Sequence, residues 1–574
     1  MKKLIRYLKN YKKESVLGPL FKLLEVVFEL MVPMIMASLI DKGIGNRDEV
    51  YIGKMFGMLI LLGLLGLASS VTAQYFAAKA ATGFAKDVKK SLFSHIQQLS
   101  LKDLDKIGSA TLITRMTSDM NQVQTGVNMT LRLLLRSPFV VFGAMVMAFF
   151  IDVKAAMVFV VAIPVLSVVI FGIMLLCIPK YRIVQEKLDG VLLATRENLS
   201  GVRVLRAFCK EEEEIRRFHE KNEDLTGWQK KVGMLSGMMN PLTYIMINIA
   251  IAVLIWQGAI EVSTGVLTQG AVIALYNYMS QILVELIKLA NLIVSMTKSI
   301  ASGNRIQAVF DIQPTMKEKE MVSEDARKTE YLVELQNVML KYTENADPAL
   351  ENVNVKIKRG ETIGVIGGTG SGKSSFVNLI PRFYDVSEGA VFFDGKNVKS
   401  YSYEELRKRV SVCQQKAVLF QGTIEENMRW GREDATEEEI WRALELAQAK
   451  EFVEQKKEGL QFSITQGGKN LSGGQKQRLT IARALLQEYD LLILDDSSSA
   501  LDYATDAKLR KALAEKKQEQ SVIVVSQRTA SIQHADRILV FDDGKIVGQG
   551  THDSLLKECQ VYQEIYNSQF KKEA

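Results

Sequence analysis

Eight consecutive residues, Gly367-Gly368-Thr369-Gly370-Ser371-Gly372-Lys373-Ser374, carry the most explicit chemistry in this 574-residue chain. They follow the apolar run Thr362–Ile366 and precede the helical pattern Ser375–Ile380, so strand, glycine loop and helix come in the order that a phosphate cradle needs. Glycines let backbone N–H groups turn toward phosphate oxygens, Lys373 reaches the terminal phosphates, and the Ser374 hydroxyl supplies a ligand for Mg²⁺. Further on, Leu491-Leu492-Ile493-Leu494 reads as a buried strand that delivers Asp495 and Asp496, with Asp495 placed to hold the Mg²⁺ shell. Between these two segments, Leu471-Ser472-Gly473-Gly474-Gln475 opens the helical KQRLTIARALL. Its serine and glycines make a second helix amino terminus suited to a phosphate.

The elements that must position these groups divide the chain. Past Phe310 a polar stretch, QPTMKEKEMVSEDARKTE, leads into short strand-like runs alternating with amphipathic helices, the pattern of an α/β domain. The first 300 residues are instead strongly apolar. Charge-free windows run over Met55–Ala78, Ala155–Pro179 and Gly233–Ile260, each able to cross roughly 30 Å of hydrocarbon at about 1.5 Å per helical residue. Val16–Ile40, Leu131–Ile151 and Gln269–Met296 complete a set of six spans. The expected fold is thus an α-helical membrane domain with six transmembrane helices over 1–310, a linker over 311–330 and an α/β P-loop nucleotide-binding domain over 331–574.

Lysine and arginine set the orientation. The amino-terminal MKKLIRYLKNYKK and the connections Lys79–Arg136 and Lys180–Lys231 are basic and belong on the cytoplasmic side, which places both termini there in a multi-pass chain of a bacterial plasma membrane. The amino-terminal segment reads as an interfacial helix, and both long connections read as helices that extend past the bilayer. Within the spans, Glu25 and Glu29 share one helix face, and Glu285 and Lys288 lie three apart. Charges at that depth either line a wet pathway or pair as packing devices, Lys22 with Glu25 and Lys288 with Glu285. The run Glu211–Glu214 sits among basic residues and reads as a solvated helix face.

Composition narrows the alternatives. Four cysteines, Cys177, Cys209, Cys413 and Cys559, stand far apart without a CxxC pair, so neither a disulfide framework nor a cysteine zinc site is indicated. The net charge of +7 arises from 72 basic and 65 acidic residues with no basic stripe, which argues against nucleic-acid binding.

Glycine loop, LSGGQ and LLILDD in that order resemble the ATP-binding cassette family, and six spans ahead of them resemble its exporter half-transporters. The resemblance implies ATP and Mg²⁺ as ligands. It also implies Tyr342 stacking on adenine, Ser375 beside the cradle, Gln415 in VCQQKAVLFQGTI as a second group near the metal, and Asp502 in SALD facing an opposed cassette. DLDKIGSATLITRMTSD from Asp103 and ENLSGVRVLRAF from Glu197 resemble the loops that dock on the cassettes.

Three positions depart from that pattern. Where active members carry Glu to polarise the attacking water, this chain has Asp496; where they carry a His that contacts the terminal phosphate, it has Gln527 in Ser526-Gln527-Arg528; where many carry Glu ahead of LSGGQ, it has Gln466. Gln527 can donate a hydrogen bond but cannot take up a proton or carry a positive charge. His95, His219, His534 and His552 all lie elsewhere. Because the family's cassettes pair head to tail, the resemblance implies the degenerate-site subunit of a heterodimeric, multidrug-type exporter. In that arrangement Ser472, Gly473, Gly474 and Gln475 complete a partner's catalytic site, and the cargo is an amphipathic or hydrophobic drug, lipid or peptide. A homodimeric exporter with slow ATPase activity, or an ATP-gated channel or sensor, are the competing readings.

Overall fold

The computed structural model describes residues 3–316, 318, 329–343, 346–515 and 520–570, so most of the expected linker lies outside the described residues. The chain forms two compact units, Met1–Gln97 with Gly108–Ile312, and Gln98–Ile107 with Gln313–Ala574. The short helix Leu101–Ile107, read from sequence as part of the membrane half, therefore belongs to the second unit.

In the first unit, six helical stretches are long and apolar enough to cross a membrane. They comprise α1 (Lys12–Ser38), α2 (Glu49–Gln98), a stretch ending in α3 (Arg136–Ile151), α4 (Val153–Ser200), a stretch ending in α5 (Met239–Ser263), and α6 (Gln269–Phe310). Their most apolar windows are only 11–39% buried. Leu64, Leu67, Phe142, Val161 and Trp256 remain exposed, as expected of surfaces that face lipid or another subunit rather than water. Helices α2 and α4 run 50 and 48 residues, well past the length of a span, which is the expected extension beyond the bilayer.

Several charges inside this unit are paired. Lys22 donates to Glu25 at 2.5 Å and to Ser70 at 3.3 Å. Glu285 is 3% exposed and accepts from Arg136, from the Ser137 hydroxyl at 3.0 Å and from Lys288 at 2.7 Å. Arg136 also donates to Glu29 at 2.8 Å. Of the two readings open for Glu285, the structure supports packing: its carboxylate is enclosed by donors from two helices, whereas Glu29 is 38% exposed at the edge of the cluster.

The second unit holds two larger sheets and a two-stranded pairing of Gly422–Thr423 with Ser463–Ile464. Strands β1 (Tyr331–Leu340), β2 (Leu350–Lys358), β4 (Glu388–Phe393) and β5 (Lys396–Asn397) form an antiparallel sheet in the order β2-β1-β4-β5. The other sheet comprises β3 (Thr362–Gly367), β6 (Val410–Cys413), β7 (Leu491–Asp495), β8 (Ser521–Val525), β9 (Arg537–Asp542) and β10 (Lys545–Gly550), ordered β10-β9-β3-β8-β7-β6. All of its pairs are parallel except β9 with β10. Parallel strands covered on both faces read as unbroken apolar runs, and Leu491–Leu494 are indeed 0–3% exposed. Register then does the positioning. Val365 pairs with Val525, Val525 with Asp495, and Leu494 with Cys413, so four neighbouring strands end level and release their loops at one edge. In open α/β sheets ligands bind at that carboxyl edge.

Candidate functional site

From the end of β3 the chain turns through 367–372 into α7 (Lys373–Leu379). Gly372 has φ +97°, and a Cβ there would meet the Ala349 carbonyl oxygen at 2.6 Å, so only glycine closes this turn. On the other side of the loop, a Cβ on Gly368 or Gly370 would meet nothing within 4 Å, leaving that rim open to a ligand. Lys373 is 8% exposed and folds along the loop, donating to the carbonyl oxygens of Gly367 at 3.0 Å and Gly368 at 2.5 Å. Ser374 donates to Asp495 Oδ1 at 3.1 Å, so the hydroxyl and the carboxylate read as metal ligands already stand together. Thr369 and Ser371 complete the loop, with Ser371 Oγ 3.4 Å from the lysine ammonium.

Beyond Asp495 the backbone bends sharply. Asp496 sits at φ +44°, a conformation that aspartate tolerates better than longer side chains, and its N–H donates to the Val525 carbonyl at 3.0 Å. One of its carboxylate oxygens, Oδ2, takes two amide donors, Gln415 Nε2 at 3.3 Å and Gln527 Nε2 at 3.4 Å. Burial pushes the carboxyls of Asp495 and Asp496 above their usual range; the Gln415 hydrogen bond and the charges of Lys373 and Arg528 oppose this at Asp496. Burial likewise pulls the Lys373 ammonium below its ordinary value against the attraction of both aspartates. A divalent cation beside Asp495 and a polyphosphate beside Lys373 would each favour the charged forms, so the donor set fits both.

At the other edge of the cradle, Tyr342 is 37% exposed, exchanges a hydrogen bond with Ser375 at 2.9 Å and packs edge-to-face on Tyr384 with ring centroids 5.2 Å apart. The Tyr384 hydroxyl donates to Asp105 at 2.8 Å. Burial, reinforced by that carboxylate, raises the phenol's pKa. A line of contacts thus runs from the cradle to the helix Leu101–Ile107, and nothing in the sequence pattern singles out Tyr384.

Asp502 accepts from the Thr505 N–H at 2.8 Å and hydroxyl at 2.9 Å, which caps α9 (Tyr503–Glu515) and holds its carboxyl below the ordinary range. Helix α8 (Gly473–Leu486) starts with a reciprocal cap: Ser472 Oγ accepts from the Gln475 N–H at 3.3 Å, and Gln475 Oε1 accepts from the Ser472 N–H at 2.9 Å. Gly473 faces open space. Among the described residues no hydrogen bond joins Ser472–Gln475 to the cradle, so the structure gathers the predicted residues into two places rather than one.

Comparison with known proteins accounts for both halves. Residues 15–286 match the ABC transporter transmembrane region, and residues 350–499 match the ABC transporter family. The chain is 34% identical over 573 residues to the uncharacterized ABC transporter ATP-binding protein YfiB of Bacillus subtilis, covering 100% of this chain and 99% of that protein. It is 33% identical over 484 residues to the ATP-dependent lipid A-core flippase of Desulfotalea psychrophila, 84% of each. Its fold is similar to that of a bacterial Atm1-family ABC exporter with ATP bound, with a TM-score of 0.79 over 99% of both chains at 20% identity. With six apolar helices fused ahead of an α/β nucleotide-binding domain, the chain belongs to the ATP-binding cassette transporters.

Proposed function

We propose that this chain is the ATP-holding subunit of a heterodimeric exporter, with cassette and termini on the cytoplasmic side. The carrying observation is the surroundings of Asp496: two neutral amides, Gln415 and Gln527, share one of its oxygens, and no imidazole stands where Gln527 does. A general base must reach its water, and displacements near 1 Å cost about a hundredfold. Asp496 is one methylene shorter than the family's glutamate and already held by two amides.

In this reading Tyr342 packs on adenine, the backbone and side chains of 367–375 and Lys373 hold the phosphates, and Ser374, Asp495 and Gln415 surround the metal. Mg²⁺, when bound, neutralises phosphate charge. Ser472, Gly473, Gly474 and Gln475 face the nucleotide held by the partner half-transporter, and Asp502 faces the opposed cassette. The similarity to a lipid A-core flippase favours an amphipathic lipid as cargo, within a class that also includes drugs and peptides. Purified alone, the full chain is expected to retain ATP but to hydrolyse it slowly, and Lys373→Ala to release it faster. Brisk steady-state ATPase activity from the chain alone would instead support a homodimer.

A further inference from the structure

The segment leaving β8, Ser526-Gln527-Arg528-Thr529, is held from three directions. Gln527 reaches Asp496 at 3.4 Å. Arg528 donates to the Leu501 carbonyl at 3.2 Å and lies 4.7 Å above the Tyr503 ring, next to Asp502. The third hold comes from a residue that no motif marks. Gln569 Oε1 accepts from the Thr529 N–H at 2.9 Å and hydroxyl at 3.0 Å, while its Nε2 donates to the Gln527 carbonyl at 2.7 Å. One exposed side chain therefore makes three hydrogen bonds to the backbone and hydroxyl groups on either side of Arg528.

Gln569 is presented from a fixed platform. It lies in the last turn of α10 (Gln560–Phe570), and Tyr562, Ile565 and Gln569 fall on one face at helical spacing. Tyr562 is fully buried and Ile565 packs against the same cluster, with Ile366 of β3 and Ile538 and Val540 of β9. The Tyr562 hydroxyl also exchanges a hydrogen bond with His552 Nδ1 at 2.7 Å. The helix is thus anchored to the sheet that carries the cradle, and its last turn grips the segment Ser526–Thr529.

We infer that Gln569 is a positioning residue: it fixes the peptide that carries Gln527, aims that amide at Asp496 and the terminal phosphate, and so slows ATP release from this half-site. The inference rests on the reading of Gln527 as the group beside that phosphate.

The test is ATP release from the full chain in lipid nanodiscs, followed by stopped flow with a fluorescent ATP analogue and accompanied by thermal unfolding. Gln569→Met keeps length and bulk but makes none of the three bonds, and is expected to speed release about fivefold, the worth of roughly one good hydrogen bond. Gln569→Glu keeps both acceptor contacts but sets a carboxylate against the Gln527 carbonyl, and is expected to release at least as fast. Gln527→Ala should also speed release, and Gln569→Met added to it should change release no further, although any effect on melting persists. Equal acceleration by Gln569→Met in both backgrounds, or altered melting with unaltered release, would overturn the inference while leaving Gln527 in place. Unaltered release in Gln527→Ala would overturn the inference together with the assignment of Gln527.

Discussion

At the carboxyl ends of β3 and β7 stand Lys373, Ser374 and Asp495, the groups proposed to grip a nucleotide, yet the two positions proposed to activate water carry Asp496 and Gln527. At the start of α8 nothing is altered: Ser472 and Gln475 cap each other, and Gly473 presents an unobstructed backbone. Binding needs only complementary charge and backbone donors, which survive small changes in side-chain length. Proton transfer needs a group of the right reach and pKa, and does not survive them. On the proposed reading, the two places within one cassette separate the holding of ATP from its hydrolysis and serve different nucleotides of a paired assembly.

Repairing the altered side should erase the difference. Asp496→Glu combined with Gln527→His is expected to raise ATPase activity of the purified chain by about 10²-fold, the lower end of what general-base catalysis contributes. The φ of +44° at Asp496 sets a stability cost on the longer side chain, to be read as a lower melting temperature. Unchanged turnover in a folded double variant would mean that the two positions are not what limits hydrolysis.

Glu285→Gln is a control that should leave the contrast intact. Removing this carboxylate strips Arg136 of its buried partner, and breaking such a pair costs about 3–5 kcal/mol. The expected result is a lower melting temperature of the membrane unit with ATP retention unchanged. Glu29→Gln, at the exposed edge of the cluster, should cost less. Cargo-specific effects of Glu285→Gln without loss of stability would restore the reading of Glu285 as a pathway residue.

Tyr384→Phe makes the smallest change. It deletes only the hydroxyl that donates to Asp105, so ATP retention should stay within about twofold while stimulation of ATPase activity by cargo weakens. Equal stimulation in variant and parent, measured on the assembled complex, would show that this contact does not connect the cradle to Leu101–Ile107.

Local chemistry was legible in the sequence and long-range partnership was not. The cradle, the buried strand before Asp495 and the six spans are each written in contiguous residues, and the Lys22–Glu25 and Glu285–Lys288 pairs follow from helical spacing. Arg136, 149 positions from Glu285, could be seen as a charge at the start of a span but not as the hub of the cluster. Gln569 lies 42 residues from Gln527 in a segment without a motif, and only the docking of its helix brings the two together. Residues 98–107 group with the second unit across the boundary read at 310, and only the resemblance of the loop from Asp103 pointed that way.

The asymmetry is tested most directly by steady-state ATPase activity of the assembled complex, purified through a tag on this chain, with Asp496→Asn compared against Gly473→Asp. Gly473 suits the second substitution because a Cβ there meets nothing within 4 Å, and an aspartate in the first turn of α8 favours the helix dipole. Loss of hydrolysis would then report the repulsion of a phosphate held by the other subunit rather than damage to this one. The account predicts that Asp496→Asn lowers turnover only about threefold, because little of the 10²–10⁴-fold worth of a general base operates there, while Gly473→Asp abolishes it. Equal, severe losses from both would contradict it and make Asp496 the working carboxylate of a homodimer.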